Sequence, residues 1–541
     1  MNAIGRLCLV GAVIAPLVAA GTSFSSRTPL GRRSRTAAGL GWLSATLAVI
    51  SATMVGLVGP FSVRLGGAHA TLMLGLWADQ LTVTLLVLVC VVGAVVQSFS
   101  VRYLQADRSA GRFFGAANLT VAMMAIVCTS ETLPLLVLAW VGAGLAFVAV
   151  LGTRPELPGV RMSSRRTLKM FLLGDLGLVV ALAIIWLRAG NVDLVSAGAL
   201  QTAVRQLGSL PVVVALLVLV AALTRSGQGP LGRWLPGTVS APTPASALLH
   251  AGVVNGGGIL LIRLGALSGD SALAMAAAFS VAGLTATVAS RLAAHKADVK
   301  GSLAFSTMSQ MGFMVAECAV GAYLAAVVHL IGHAMYKASL FFGSGSQVPR
   351  SGSSERSSTV HASWHKSTIP LAARVAATLV ATGATVTAMV LVPGTLAHRG
   401  GPVLLVFAAF SVAAAGWSWW GRCPASGRLS VLWTFITVSV GALYGLVLSG
   451  LGHWIAPALP FVGNQVLSPW WLVAVLAAGI ALAALERVPI VERWLLPNLC
   501  SIGAPPLDRE PADSSQVRHS PLVGIATDGS QPMRTNVRSA A

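Results

Sequence analysis

Charge is what this sequence has least of. Asp, Glu, Lys and Arg make up 10% of its 541 residues, where a soluble globular domain carries about 25%. A chain so poor in charge cannot cover a water-facing surface, so lipid is its main solvent. Acid is scarcer than base: 16 Asp and Glu stand against 36 Lys and Arg, a net charge of +20. That excess does not form a nucleic-acid stripe, because the basic residues sit in short runs between apolar stretches. Cysteine is thin as well. The six, Cys8, Cys90, Cys128, Cys318, Cys423 and Cys500, show no metal or redox spacing, and most lie in apolar runs where Cys behaves as a small hydrophobe. No phosphate loop, nucleophile elbow or dinucleotide fingerprint occurs, and the "NGGG" starting at Asn255 is too weak a signal for a nucleotide. The scattered Met and Trp residues read as lipid-facing or interfacial. No metal site, no cofactor and no soluble catalytic domain is therefore expected in this chain.

What is present is apolar length. Hydrophobic residues make up 55% of the sequence and its mean hydropathy is +0.80. A span needs about 20 apolar residues to cross a hydrocarbon core about 30 Å thick. Fifteen candidate spans centre near residues 15, 49, 90, 122, 142, 179, 218, 255, 281, 309, 332, 382, 411, 441 and 478. In lipid each must satisfy its own backbone, so these are helices. The expected fold is an all-α polytopic bundle of about 13–15 transmembrane helices, some of them broken. Met1 to Ala20, with Arg6 before an apolar run, looks like a signal peptide but reads better as a first span.

The basic residues test this list. With the N-terminus outside, the inner loops hold Arg27, Arg32, Arg33 and Arg35, then Arg102, Arg108 and Arg112, then Arg154, Arg161, Arg165, Arg166 and Lys169. Further inner loops hold Arg291, Lys296 and Lys300, then Arg350, Arg356 and Lys366, then Arg422 and Arg428. Outer loops hold Arg64, Arg188, Arg205 and Arg399. The positive-inside rule then sets a multi-pass protein of the cell (inner) membrane, with its C-terminus cytoplasmic. Residues 351–369 are rich in Ser, Gly and charge and read as a cytoplasmic loop. Residues 501–541 lack the apolar content to build a core and read as a disordered tail.

Ionisable groups inside spans cost about 2.5–3.5 kcal/mol each on insertion scales, so they are candidates for function, with snorkelling at helix ends as the alternative. His329, His333 and Lys337 in "VVHLIGHAMYKASLFF" fall at i, i+4 and i+8, on nearly one helix face and about 6 Å apart per step. A His titrates near neutral pH, and burial brings a Lys toward it, so such a file suits proton relay. The alternative is a structural polar stripe. From Arg225 to Gly258, Pro230, Pro236, Pro242 and Pro244 interrupt the apolar pattern, and His250 follows the last of them. Broken backbone at membrane depth is tolerated only inside protein or against a water-filled cavity. Arg225 stays protonated and so biases a path without relaying; snorkelling explains it nearly as well. Asp298, Lys300, Ser306, Thr307, Ser309 and Gln310 form a polar start to another span, with Glu317 at its far end, in a solvated or a path-lining role. Lys169 and Asp175 lie six apart and offer a loose pair, and Asp79 reads as a helix N-cap.

"PTPASALLHAGVVNGGGILLIRL", "STMSQMGFM", "HLIGHAMYKASLFF" and "FSVRYLQADRSAGRFF" together resemble the antiporter-like core of complex I proton-pumping subunits and Mrp-type cation/proton antiporters. Details such as "QMGFMVAECAVGAY" look most like the DabB family of membrane subunits from DabA–DabB inorganic carbon transporters. The resemblance covers roughly residues 70–350 and implies a proton-conducting core there; the apolar spans on either side read as N-terminal transmembrane helices over 1–69 and C-terminal transmembrane helices over 370–490. It implies a proton path through His250, Lys300, His329, His333 and Lys337, which Arg225, Asp175, Lys169 and Glu317 are placed by their own positions to support or bias. It also implies a zinc-containing DabA-like partner that handles CO2 and bicarbonate, so that this chain is a transporter subunit rather than an enzyme by itself. Three positions depart from the pattern: Val141 stands where the antiporter-like members have Glu, Arg225 where they have Lys, and Leu172 where they have Arg. The first half of the usual path then lacks its titrating pair. A subunit of a complex I-like oxidoreductase or Mrp-type antiporter, and a non-conducting membrane scaffold, remain as alternatives.

Overall fold

The computed structural model describes residues 2–25, 29–65, 74–195, 197–296, 298–344, 371–391 and 427–459, with single positions between 405 and 416. The expected 351–369 loop, the 501–541 tail and the spans centred near 411 and 478 lie outside the described residues, as do Cys423 and Cys500.

Long helices dominate. In chain order they are α1 (Asn2–Phe24), α2 (Leu30–Val58), α3 (Gln80–Tyr103), α4 (Ala110–Thr129), α5 (Leu133–Leu151) and α6 (Pro158–Ala189). After the short α7 (Ala197–Gln206) come α8 (Pro211–Arg225), α9 (Thr243–Ala251), α10 (Gly256–Arg263) and α11 (Gly265–Gly269). The remainder are α12 (Ala272–His295), α13 (Val299–Ala319), α14 (Tyr323–Gly343), α15 (Leu371–Leu391) and α16 (Gly427–Ile455). Among the described residues, twelve segments are long and apolar enough to cross a membrane, with α9 and α10 together making one of them. The chain is a multi-pass membrane protein. α13 is long enough to be a thirteenth, but its polar side chains keep it off that list.

One departure from an all-helical chain is a hairpin. β1 (Phe61–Leu65) pairs antiparallel with β2 (Leu74–Ala78), Phe61 opposite Ala78. Leu76 bridges Ser130, and Thr132 bridges Asp193, so the hairpin and the α4–α5 and α6–α7 links share one end of the bundle. There Arg64 Nε donates to Glu131 Oε1 at 2.6 Å, and Arg263 donates to the carbonyls of Cys128 and Ser130.

The other end is basic. Arg33 donates to the carbonyls of Ser23 (3.1 Å) and Ser25 (2.6 Å), tying α2 to α1. Arg154, just after α5, donates to Asp107 between α3 and α4. Burial works against the Asp107 charge, but the Ser109 amide and hydroxyl and the Arg154 guanidinium outweigh it and hold the carboxyl below the usual carboxylate range.

Small residues let the first helices approach closely. Ala12 of α1 and Ala48 of α2 are fully buried, and the Ser44 hydroxyl donates to Ala12 O at 2.6 Å. Asp79 caps α3 in a reciprocal box with Thr82, as its position suggested. Cys8, Cys90, Cys128 and Cys318 are buried free thiols. At the far end of the sequence α16 returns to the bundle, and Trp454 Nε1 donates to Thr84 Oγ1 at 3.1 Å.

Two breaks position the polar interior. α8 stops at Arg225, and the chain runs to Pro242 through short 3-10 turns at Gly229–Gly232 and Pro236–Ser240. This irregular stretch is protein-covered: Ser226, Gln228 and Trp234 are fully buried. Several of its polar groups are met internally, though Gln228 Oε1 is not. Gln228 Nε2 donates to Ser226 O (2.8 Å) and Met308 O (3.1 Å), Trp234 Nε1 to Thr224 O (2.9 Å), and Gly229 N to Thr285 Oγ1 (2.9 Å). Pro242 and Pro244 do not interrupt a helix; they cap and start α9. The second break is at Gly252, between α9 and α10, where a 3-10 turn over Val253–Asn255 intervenes. His250 therefore stands in the last turn of α9, before this break as well as after the proline break. A side chain at Gly257 would collide with Ser226, and one at Gly258 with Met314, so these glycines bring α10 against α8 and α13.

Candidate proton path

α13 and α14 reverse at Gly321, whose φ of +75° favours glycine. The two helices run antiparallel, and their polar faces meet. At the turn end, His329 Nδ1 lies 2.9 Å from Glu317 Oε2, with the Glu317 side chain 1% exposed. The reading of Glu317 as a solvated helix end gives way to a buried partner of His329, because the tight turn folds α14 over it. One turn further along α14 is His333, its ring 6.3 Å from that of His329. His333 is buried, and neither ring nitrogen has a protein hydrogen-bond partner. A further turn on, Lys337 is fully buried and donates to Ser306 Oγ at 2.9 Å and Leu303 O at 3.5 Å, both on α13.

His250 joins this file from α9. Its ring stacks on Phe341, with centroids 4.5 Å apart and planes 9° from parallel. Its Nδ1 is buried without a protein partner. Nearby, Asn255 Nδ2 donates to Ala251 O at 2.8 Å across the break. Lys300 stands at the basic end of the same face of the bundle, half-buried, with Nζ 3.0 Å from Ala241 O. Asp298 caps α13 by accepting from Gly301 N at 2.6 Å. The sequence candidates His250, His329, His333 and Lys337 thus come together between α9, α13 and α14, with Glu317 added to them, while Lys300 lies apart at the start of α13, bonded to Ala241 O. Ser306 and Phe341 are contributors that spacing alone does not single out. The serine belongs to the polar start of α13, and the phenylalanine looks like any core residue.

A second polar cluster lies between α5, α6 and α8. Arg225 is 1% exposed and donates to Asp175 Oδ1 at 2.9 Å and to Trp140 O at 3.3 Å. Trp140 Nε1 donates to the same carboxylate oxygen at 2.8 Å. The guanidinium carbon lies 4.4 Å from the Trp140 ring centroid and 4.2 Å from that of Phe171. Two readings change here. Arg225 does not snorkel to a surface, because the break after α8 buries it. Asp175 pairs with Arg225 rather than with Lys169, which is exposed on the outer face of α6. Lys169 is thus no part of a buried path. Val141, next to Trp140, offers no carboxylate, and Asp175 from α6 supplies the counter-charge instead.

Set against known proteins, residues 130–417 match the family profile "NADH:quinone oxidoreductase/Mrp antiporter, TM". Residues 67–114 match "NADH-Ubiquinone oxidoreductase (complex I), chain 5 N-terminus". Among curated relatives, the "probable inorganic carbon transporter subunit DabB1" of Halothiobacillus neapolitanus is 39% identical over 221 residues, 40% of this chain and 39% of that one. The "probable inorganic carbon transporter subunit DabB" of Bacillus anthracis is 34% identical over 222 residues, 41% of this chain and 43% of that one. "NADH-quinone oxidoreductase subunit L" of Mycobacterium tuberculosis is 32% identical over 222 residues, 40% of this chain and 35% of that one. The matched part spans about two-fifths of the length of these relatives. Among solved structures, the Mrp complex from Dietzia sp. DQ12-45-1b superposes with a TM-score of 0.60 at 24% identity, covering 91% of this chain and 57% of that one, a likeness of fold. The broken α9–α10 span and the antiparallel α13–α14 pair lie inside the matched 130–417 region, and the chain belongs to the membrane-subunit family of NADH:quinone oxidoreductases and Mrp antiporters.

Proposed function

We propose that this chain is the proton-conducting membrane subunit of an energy-coupled inorganic carbon transporter. The observation that carries the reading is the largely buried file Lys337–Ser306, His333 and His329–Glu317, flanked by His250, with the half-buried Lys300 at the start of α13. Each step along α14 is one helical turn, about 6 Å, a distance a single water molecule spans. His333, with both ring nitrogens uncommitted to protein, takes a proton on one and gives it from the other. Glu317 receives or supplies it through His329. The basic end faces the cytoplasm by the positive-inside rule, which puts Lys300 at the inner mouth and Glu317 toward the outside. The membrane is then the inner one, with the N-terminus outside.

The carbon chemistry belongs to a partner. The DabB relatives are described as subunits, and a DabA-like, zinc-containing subunit working on CO2 and bicarbonate is the partner this reading expects. The fixed Arg225–Asp175 pair supports it: Arg225 holds its proton and ties up the Asp175 carboxylate, so this chain offers one path, which the partner completes. A second reading, a pumping subunit of a complex I-like oxidoreductase or an Mrp-type antiporter, is favoured by the 32% identity to subunit L.

Purification in mild detergent separates the two. Recovery with a zinc-bearing protein is expected, and recovery with quinone-reductase subunits would move the assignment to the second reading. Proton leak in vesicles, measured with and without the co-purifying partner and repeated for His333→Ala, tests conduction itself. Equal leak in the variant would remove the relay.

A further inference from the structure

α6 is longer than a membrane requires. Its 32 residues extend about 48 Å at 1.5 Å per residue, against a hydrocarbon core of about 30 Å. The 20 residues that follow Lys169 up to Ala189 already span that core, so the first turns, from Pro158 to Lys169, stand in the headgroup layer. Arg161, Arg165, Arg166 and Lys169 all lie here and all are exposed. Positions 161, 165 and 169 repeat every four residues and so share one face, with Arg166 at its edge. Among the described residues none of the four is in an ion pair, unlike Arg154 a few residues earlier. They line an open cleft of about 530 Å³ whose other walls include Met162 and Met170. One carboxylate, Glu156, sits among the four cations.

The face changes character where the hydrocarbon begins. Continuing the same register below Lys169, the exposed residues are Leu172, Leu173, Leu176, Val179 and Val180, with Leu176 60% exposed. A cationic cleft with polarizable methionine walls thus opens onto a strip of bare aliphatic surface along one helix. A soluble anion would match the first part and leave the second unexplained. A phospholipid matches both.

We propose that this cleft binds the phosphate headgroup of an anionic phospholipid, whose acyl chains run down the aliphatic strip of α6. The guanidinium groups donate paired hydrogen bonds to the phosphate, and Lys169 adds a point charge at the glycerol level. The site is separate from the proton file and stands whether or not that file conducts.

The test uses the full chain purified in mild detergent, with whatever partner accompanies it. Retained lipid is counted by native mass spectrometry after exposure to equimolar phosphatidylglycerol and phosphatidylcholine, and inorganic phosphate is titrated separately. The wild type should retain phosphatidylglycerol about tenfold over phosphatidylcholine, with no stabilisation by phosphate. The quadruple variant Arg161→Gln, Arg165→Gln, Arg166→Gln, Lys169→Gln should lose that preference. A control with Arg102→Gln, Arg108→Gln and Arg112→Gln, at the same membrane level, should keep it. If the quadruple variant does not fold, Arg165→Gln alone should lower the preference about threefold. Equal retention of the two lipids by the wild type, an unchanged preference in the α6 variants, or phosphate stabilising as well as the lipid would each overturn the proposal. So would release of a co-purifying protein by the quadruple variant while lipid retention stays the same.

Discussion

Two buried polar clusters lie in one bundle and are built on opposite plans. Between α13 and α14, histidines and a lysine are spaced by helical turns and held by few protein bonds: His333 has none, and Lys337 has a hydroxyl and a distant carbonyl. Between α5, α6 and α8, Arg225 and Asp175 are locked by a direct ion pair, an indole donor and two aromatic faces. The first cluster is built from imidazoles, an amine and a carboxyl, groups that can take up and give up a proton. The second holds a cation that cannot, fixed by a direct ion pair with Asp175, although its Nη1 finds no hydrogen-bond partner. Burial alone therefore does not mark a conduction site. On the proposed function, what separates a path from a plug is whether the buried group can release its proton and whether a direct ion pair fixes it.

The contrast can be broken by substitution. The largest effect belongs to the file. His333→Ala and Lys337→Ala should each lower proton flux in vesicles by about a hundredfold while leaving the folded yield unchanged, since a positioned proton-transfer group contributes on that order. Flux within a factor of two of the wild type would erase the distinction. Next comes the plug. Asp175→Asn leaves Arg225 buried without a counter-charge, and breaking such a pair costs about 3–5 kcal/mol. A clear loss of melting temperature in detergent is expected. The double change Asp175→Leu, Arg225→Met should recover much of it, whereas two additive losses would show that the pair is not a unit. Gly257→Ala drives a methyl group into Ser226 and should cost about 1–3 kcal/mol, read as thermal stability.

The smallest effect is at the basic end, in the Asp107–Arg154 pair, where the Arg154 side chain is 43% exposed. Arg154→Gln should cost under about 1 kcal/mol. Its pH dependence has a definite sign. Asp107 is held below its ordinary carboxylate value, so its contribution is present above that value and is lost as pH falls through the lowered one. The stability gap between wild type and Arg154→Gln should close on acidification and stay constant at neutral pH and above. A gap that widens in acid would contradict the assignment.

Much of the file was legible in the sequence because helical periodicity is a local rule. His329, His333 and Lys337 at i, i+4 and i+8 can only share a face once the segment is a helix. The existence of the long helices was legible for the same reason, since hydrophobic length is read directly. The pairings were not. Asp175 and Arg225 are fifty positions apart, and choosing between Arg225 and the nearer Lys169 needs the crossing of α6 and α8. Glu317 and His329 were closer to reach: both flank the Gly321 turn, and an antiparallel fold over a tight turn brings them level. The stacking of His250 on Phe341 has no signature in one sequence, because it depends on where α9 stops at Gly252. The strand pair Phe61–Leu65 and Leu74–Ala78 is not legible in the sequence, since strands of five residues are short beside the spans around them.

The polarity of α13 has a consequence for its surroundings. Lys300, Ser302, Ser306, Thr307, Ser309, Gln310 and Glu317 would be costly against hydrocarbon. Ser302 and Ser309 donate to carbonyls of α12 at 2.8 Å each, Ala293 and Ala286 in turn. The preceding span thus shelters part of that polarity, and α13 depends on its protein neighbours rather than on lipid for a home in the bilayer.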